Sequence, residues 1–343
     1  MIAHQLEDTG FREATLWSTP IRDLGLTIEG TRLEPILEEF RHELALAGFR
    51  RLTPKFYLST EWGVPFETVA IAIPFYLART ELLEMHAFRT GHVEGRDRDE
   101  ILRYLRHEMG HVVNYAYRLY DTPEWEALFG SMSEPYEDDY RPVPFSRKHV
   151  RHLPGWYAQK HPDEDWAETF AVFMTPGADW RAEYATRPEA LAKLEYCERT
   201  VRTLLDRDPE VVDDELDEDV GELEYSIAQF YRDLAEGEAR IAVNLDTMLK
   251  SIFPPSTDWN DAAQSCPASG LIHRLEGELL GNIYRWTGHF PERTRVLVQH
   301  LAARGESLGL TYREADEAAA TVALTALVTS LAMNYVQSGS YLR

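Results

Sequence analysis

The stretch LRHEMGHVVNYAY, residues 105–117, constrains the chain more than any other. From Arg98 to Tyr120 apolar residues recur at helical spacing, which predicts a helix with one apolar stripe. On such a helix His107 and His111, four positions apart, lie on one face and can turn their rings toward the same point. Glu108 is adjacent in sequence and faces the neighbouring side. The HExxH spacing is therefore compatible with a metal site, and equally with two surface histidines beside an unrelated glutamate.

A zinc site that hydrolyses amides needs three protein ligands and a fourth position that stays open for water. The two histidines supply two of the three. In the metzincin pattern the same helix continues to a glycine and a third histidine at positions 114 and 117, where this chain has Asn114 and Tyr117. The third ligand must therefore come from another segment.

The segment HPDEDWAETFA, residues 161–171, predicts a second helix that supplies this ligand. Pro162 suits its first turn, where an amide hydrogen would have no helical partner. Glu164 and Glu168 both fall within the helical pattern, and the small side chain of Ala167 would let two helices approach closely. Either glutamate meets the requirement for a carboxylate ligand.

The two motifs together resemble the bacterial putative zinc-binding metallopeptidases, members of the gluzincin group. Their pattern pairs an R-H-E-x-G-H helix with a downstream Y-A-x-x-H-P-x-E-D-W-A-E-T segment. The matching residues are Arg106, His107, Glu108, Gly110, His111, Tyr157, Ala158, His161, Pro162, Glu164, Asp165, Trp166, Ala167, Glu168 and Thr169. The resemblance implies a zincin-like domain with zinc as its cofactor. By the same resemblance His107, His111 and Glu168 are the zinc ligands and Glu108 is the catalytic base.

Other residues of the matched segment are candidates for supporting roles. The carboxylate that thermolysin-like members carry four residues after the glutamate ligand is absent, since that position is Val172. Asp165 is then the candidate for orienting the zinc-bound histidines, or else a charge favoured at a helix N-terminus. Tyr157 and His161 are candidate catalytic donors to a developing oxyanion. The alternative is that Tyr157 packs and His161 only precedes the helix.

Composition bounds the class of protein and its partners. The chain has 343 residues, of which 44% are hydrophobic and 27% charged, as in soluble globular proteins. Its net charge of -23 argues against nucleic acid or an anionic membrane as partner, because both require a basic surface. The cysteines, Cys197 and Cys266, form no CxxC pair, which favours a reducing, cytoplasmic compartment. The uncharged stretch 318–336 is long enough to span a bilayer, but its alanine and hydroxyl residues favour a buried helix.

The pattern along the chain predicts an α+β fold that is mostly helical. A helix over residues 32–48 precedes two strand-like runs, KFYLS and TVAIAIPFYL, which predict a small mixed sheet. A densely acidic run, DRDPEVVDDELDEDVGELE, predicts a solvated linker or an exposed helix start, and the domain boundary is placed there. The predicted organisation is a zincin-like metallopeptidase domain over residues 1–205, an acidic linker over 206–225 and an all-α domain over 226–343.

These observations predict a zinc-dependent peptidase. A zinc-bound water, activated by Glu108 as general base, would attack the carbonyl of a peptide or protein substrate. The C-terminal helical domain would recognise the substrate or a partner protein. The alternative is a catalytically silent, zinc-stabilised module for protein interaction, in which a general base at Glu108 has no purpose.

Overall fold

The computed structural model describes residues 16–137, 140–236, 245–255 and 265–342 of the chain. In these ranges the chain is mostly helical, which confirms the predicted class. The two runs from which the small mixed sheet is predicted form one parallel pair of strands, and a separate antiparallel pair lies in the C-terminal part of the chain.

Helices surround the parallel pair of strands in the first part of the chain. The elements are α1 (Leu33–Leu46), β1 (Lys55–Ser59), β2 (Ala70–Pro74), α2 (Thr80–Thr90), α3 (Arg98–Ala116), α4 (Pro123–Phe129), α5 (Pro162–Met174), α6 (Trp180–Tyr184) and α7 (Pro188–Leu204). The register of β1 and β2 runs from Lys55 opposite Ala70 to Ser59 opposite Pro74. All of β2 is buried, and it ends at a proline that has no amide hydrogen to pair further.

The helix that carries the HExxH motif, α3, lies in the middle of this region. Asp97 caps its start, because its carboxylate accepts a hydrogen bond from the Glu100 amide at 2.9 Å. The predicted apolar stripe, with Leu105 and Val112, packs into the main core. The polar face with the HExxH residues is buried as well. Both faces of α3 are therefore buried, and α5 packs against it.

The acidic run is part of the first core, which differs from the predicted solvated linker. The Val220 amide donates to the Leu58 carbonyl at 3.1 Å, and the Val69 amide donates to the Asp213 carbonyl at 2.7 Å. Val220 is buried, and Leu216 packs against residues of both strands. The charged side chains face outward while the backbone and scattered apolar residues cover the sheet.

A second core forms a helical domain at the C-terminal end. Its elements are α9 (Asp246–Ile252), β3 (Ser265–Pro267), α10 (Ala268–Thr287), α11 (Pro291–Ser307), β4 (Thr311–Arg313) and α12 (Glu317–Ser338), while α8 (Ile227–Glu236) precedes them. Tyr231 of α8 still belongs to the first core, and the second core begins at Leu245. The division between cores thus falls later than the predicted boundary at residue 226. The domain also contains the short antiparallel pair β3 and β4, so it is not purely helical.

The long apolar stretch forms α12. Leu324, Val328 and Ala332 on one face are fully buried in the second core, whereas Val322 on another face is 70% exposed. By length and composition this helix could cross a membrane, and a third of its most apolar window is buried. A single helix of this kind is weak evidence for a membrane span.

Candidate metal centre

The candidate centre lies where α3 and α5 meet at a glycine. A Cβ added to Gly110 of α3 would lie 2.7 Å from the Cα of Ala167 in α5, closer than side chains approach a backbone. Ala167, whose small side chain predicts a close approach of two helices, therefore does lie at such a contact, and Gly110 is its partner. His161 caps the start of α5, where its Nδ1 accepts a hydrogen bond from the Asp163 amide at 3.2 Å, and Pro162 follows as the first helical residue.

Three buried side chains bring one ligand atom each to a common point. The Nε2 atoms of His107 and His111 lie 3.3 Å apart. One carboxylate oxygen of Glu164 lies 2.9 Å from Nε2 of His107 and 3.3 Å from Nε2 of His111. These residues form the group that could hold a metal ion among the described parts of the chain.

The spacing of these atoms fits a tetrahedral zinc site. Zinc binds imidazole nitrogen and carboxylate oxygen at about 2.0–2.2 Å, which places the corners of a tetrahedron roughly 3.3 Å apart. The three separations of 2.9, 3.3 and 3.3 Å are close to this value. Two histidines and one glutamate are also a known ligand set of catalytic zinc, with the fourth corner left for water.

Glu168 contacts Nδ1 of His107, the ring nitrogen on the side away from the common point. One of its carboxylate oxygens lies 3.0 Å from Nδ1 of His107. The same carboxylate accepts hydrogen bonds from the backbone amides of His152 at 2.6 Å and Leu153 at 2.9 Å. In the neutral ring, a hydrogen bond from Nδ1 of His107 to this acceptor would leave the lone pair of Nε2 facing the centre.

Asp163 lies at Nδ1 of His111 in the same way as Glu168 lies at Nδ1 of His107. One of its oxygens lies 2.9 Å from Nδ1 of His111, and the other accepts a hydrogen bond from the side-chain amide of Asn114 at 2.7 Å. The hydroxyl of Tyr115 also donates to this carboxylate. A carboxylate partner on Nδ1 of each ring is the arrangement that orients histidines toward a metal.

This geometry departs from the prediction that Glu168 is the third ligand. Glu164 and Glu168 lie one helical turn apart on the same face of α5, so both satisfy the sequence pattern. The contact of Gly110 with Ala167 decides which turn of α5 is level with the histidines. It places Glu164 at the two Nε2 atoms and leaves Glu168 on the outer nitrogen of His107.

Charge at the centre favours a cation. Burial lowers the pKa of His107, but the carboxylates of Glu164 and Glu168 outweigh it and raise this pKa to about 9. Four buried carboxylates, those of Glu108, Asp163, Glu164 and Glu168, thus surround two imidazoles. A divalent ion at the Nε2 atoms would replace the protons that these imidazoles otherwise attract.

Glu108 is buried beside the two ligand histidines and is only 4% exposed. Burial raises the pKa of Glu108 to about 7, although the charges of His107 and His111 act to lower it. Glu108 therefore holds a proton more tightly than an exposed carboxylate does.

Residues 81–209 match the family model described as putative zinc-binding metallo-peptidase. The matched range contains α3, α5 and every residue of the centre described above. This part of the chain is therefore similar to that family. No curated protein and no solved structure matches the chain. Zinc is thus the cofactor expected at His107, His111 and Glu164, and peptides or proteins are the expected substrates of residues 81–209, called the metallopeptidase region below.

Two tyrosines lie over the centre of the metallopeptidase region. The Tyr136 hydroxyl donates a hydrogen bond to the Glu164 carboxylate and lies 3.5 Å from the Tyr157 hydroxyl. The Tyr157 ring stands edge-on to His107, with 5.6 Å between ring centroids. Tyr157 therefore lies beside the centre, and Tyr136 joins it from the segment between α4 and α5.

The structure places His161 and Asp165 away from the predicted roles. His161 caps α5, and its Nε2 lies 3.1 Å from the Glu134 carbonyl oxygen, so both ring nitrogens serve the backbone. Asp165 is ion-paired with the buried Lys193 rather than with either ligand histidine. Burial raises the pKa of Asp165 to about 7 even with this ammonium group beside it. The carboxylates within hydrogen-bond distance of the two Nδ1 atoms are instead those of Asp163 and Glu168.

The sequence carried only part of the information needed to find the other site residues. Asp163 adjoins Glu164, and their identification requires the pairing of α5 with α3. Tyr136 lies in a proline-rich stretch without any period, so no pattern could have placed its hydroxyl on Glu164.

Proposed function

We propose that the metallopeptidase region is a gluzincin-type zinc peptidase in which His107, His111 and Glu164 hold the ion and Glu108 is the general base. The observation that carries this proposal is the tetrahedral spacing of the three ligand atoms, with a carboxylate behind each imidazole. Zinc bound there would polarise a substrate carbonyl and lower the pKa of water.

Glu108 would move the proton of the reaction. As water attacks the peptide carbonyl carbon, its proton passes to the Glu108 carboxylate and a carbon–oxygen bond forms. The same proton then passes to the amide nitrogen as the carbon–nitrogen bond breaks and the amine leaves. A pKa near 7 supports both steps, because the group can accept and release a proton at neutral pH.

Tyr136 and Tyr157 would stabilise the negative charge that develops on the carbonyl oxygen. The hydroxyl of Tyr136 already points at Glu164, and that of Tyr157 lies next to it. Preorganised hydroxyl donors stabilise an oxyanion without reorganisation. Of the two predicted donors we retain Tyr157, and Tyr136 takes the place of His161.

The helical domain would provide part of the substrate site. A groove of about 1300 Å³ is lined by Tyr157 and Glu94 on one side and by Tyr284 and Glu292 of the helical domain on the other. Charge reversal by Glu292→Lys should change the preference between basic and acidic peptides, measured as the ratio of kcat/KM values. The same reversal at the exposed Glu306 of the same helix should not change it, and equal effects of both variants would exclude this role.

A glutamate-to-glutamine exchange tests the proposed chemistry. The purified wild-type chain should contain about one zinc ion, measured by elemental analysis. Glu108→Gln should keep the ion and lose at least about 100-fold in kcat on a peptide library, because the general base is gone. Glu126→Gln, on the exposed first turn of α4, is the matched control and should cleave like the wild type.

The same experiment separates a peptidase from a silent zinc module. A module stabilised by zinc would bind the ion in both variants and cleave no peptide in any of them. Unchanged cleavage by Glu108→Gln would show that the proton is carried by another group and would overturn the proposed mechanism.

A further inference from the structure

The helical domain contacts the metallopeptidase region through the segment that leads into α5. The Tyr140 ring packs edge-on against Phe290, with 5.7 Å between centroids. The Arg151 guanidinium lies 4.1 Å from the Trp156 ring centroid and 5.4 Å from that of Trp286, and so is held between one ring from each domain. The segment 140–156 is therefore fixed from the side of the helical domain.

The closest of these contacts joins Tyr284 of α10 to Gly155. Gly155 has a φ of +81°, and a Cβ added there would lie 2.3 Å from a ring carbon of Tyr284. Tyr284 is 5% exposed. The Gly155 carbonyl accepts a hydrogen bond from the Tyr140 hydroxyl at 2.9 Å. The Tyr284 ring thus occupies the space where any larger residue at 155 would project.

This contact lies two and three residues from the two amides that hold the carboxylate behind His107. The backbone amides of His152 and Leu153 donate to Glu168 at 2.6 and 2.9 Å. Glu168 in turn lies 3.0 Å from Nδ1 of His107. Tyr284, Gly155, the two amides, Glu168 and the His107 ring therefore form one continuous series of contacts from the helical domain to the candidate centre.

We propose that Tyr284 is a positioning residue for the metal centre. Its ring holds the backbone at Gly155, and that backbone orients the His152 and Leu153 amides toward Glu168. The helical domain would therefore help to position the metal ligands, in addition to lining part of the groove. This inference rests on the proposed function, since it assigns Tyr284 to the zinc site described there.

Zinc affinity of the full-length chain tests this role without any need for activity. Loss of a group that orients a metal ligand weakens binding by about 10–100-fold. Tyr284 acts through one further contact, so we expect Tyr284→Ala to weaken zinc binding by about 10-fold in competition with a chelating dye. Tyr284→Phe keeps the ring against Gly155 and should bind zinc like the wild type. Leu324→Ala, in the core of the helical domain, should lower the Tm but preserve zinc affinity.

A second variant tests the contact itself. Gly155→Ala should also weaken zinc binding, because its Cβ collides with the ring. In Gly155→Ala combined with Tyr284→Ala the collision is gone, so the combined loss should be smaller than the product of the two separate losses. In the metal-free chain, the Leu153 amide should exchange hydrogen faster in Tyr284→Ala than in the wild type.

The outcomes separate this inference from the proposed function. Equal zinc affinity and equal exchange at Leu153 in Tyr284→Ala and Tyr284→Phe would overturn the positioning role. A wild-type chain that binds no zinc would overturn the proposed function, while the exchange measurement would still report whether Tyr284 fixes the amides.

Discussion

The indole nitrogen of Trp166 donates a hydrogen bond to the carbonyl oxygen of Gly110 at 2.8 Å. This bond joins α5 directly to the backbone of α3 inside the HExxH motif. Next to it, the missing side chain of Gly110 lets the Ala167 backbone approach. The two contacts fix how far α5 slides along α3, and so they select the glutamate that faces both histidines.

We expect Gly110→Ala to disturb this register. The added Cβ would meet the Ala167 backbone at 2.7 Å, which a flexible side chain cannot relieve. Overpacking of this kind costs about 1–3 kcal/mol in the free energy of unfolding, measured with denaturant. Zinc affinity should fall as well, because Glu164 moves relative to the histidines.

Gly277→Ala is the matched control for this change. Gly277 also lies in a helix, and a Cβ added there meets nothing within 4 Å. Replacing a helical glycine with alanine stabilises by about 0.5–1 kcal/mol. If Gly110→Ala were as stable as Gly277→Ala, the close helix contact could not be the constraint that we describe.

The sequence predicts the secondary structure near the site well, because local rules decide it. Helical periodicity, a capping aspartate at Asp97 and a proline at Pro162 act within a few residues, and α3 and α5 begin where these signals lie. The acidic run shows the limit of local rules. Its composition predicts a linker, but backbone pairing with Leu58 and burial of Val220 depend on a sheet that lies far away in sequence.

The same limit explains the choice of ligand. The sequence predicts two histidines and a glutamate of the second helix, and it offers both Glu164 and Glu168 for that role. Helix periodicity cannot distinguish residues one turn apart, because they share a face. Only the register of α5 on α3, set by tertiary contacts of Gly110, separates the glutamate at the two Nε2 atoms from the glutamate at Nδ1 of His107.

Variants of Glu164 and Glu168 test which of the two binds the metal and which only orients a histidine. We expect Glu164→Ala to abolish tight zinc binding, because a three-ligand site loses one ligand. Glu168→Gln should weaken zinc binding by about 10–100-fold and keep a measurable affinity, since it only orients His107. Isothermal titration with zinc checks both values. Retention of tight binding by Glu164→Ala with complete loss in Glu168→Gln would restore Glu168 as the ligand.

We expect Lys193→Met to destabilise the fold strongly. The Lys193 ammonium pairs with Asp165, and both residues are buried, at 6% and 2% exposure. Removing one partner of a buried pair costs about 3–5 kcal/mol, because an uncompensated charge remains inside. Chemical denaturation should show this loss.

Two further variants separate stability from metal binding at this pair. Asp165→Leu combined with Lys193→Met should recover much of the stability, since no buried charge remains. Asp165→Asn should bind zinc within a few-fold of the wild type, because Asp165 orients neither histidine. A drop in zinc affinity as large as that of Glu168→Gln would return Asp165 to the role predicted from the sequence.

Removal of the Tyr136 hydroxyl should lower catalysis and leave the metal in place. Losing one oxyanion donor costs about 100–1000-fold in kcat, so Tyr136→Phe should show a decrease in this range with a nearly unchanged KM. Zinc content should stay at the wild-type level, since Tyr136 is not a ligand. His161→Asn serves as a comparison, because it retains a capping side chain at the start of α5 and should change kcat far less. An equal loss in both variants would refute a specific role for Tyr136.

The stability of the helical domain should depend on pH through His289. This histidine is 1% exposed, with its ring nitrogens 2.8 Å from the Thr294 hydroxyl and 3.1 Å from the Tyr341 hydroxyl. Burial, with a smaller contribution from the charge of Arg293, lowers the pKa of His289 to about 4. The ordinary value in an unfolded chain is about 6.5.

The direction of this pH dependence follows from the number of protons that the folded and the unfolded chain bind. Between pH 6.5 and 4 the unfolded chain binds a proton at this position and the folded chain does not, so falling pH favours unfolding. The stabilisation is complete above about pH 6.5, and about 3 kcal/mol of it is lost by pH 4. His289→Gln removes the titrating group, so the difference in unfolding free energy between wild type and variant should shift by this amount over that range. Denaturation of both chains at several pH values tests it, and a difference that stays constant with pH would show that His289 does not titrate as its burial requires.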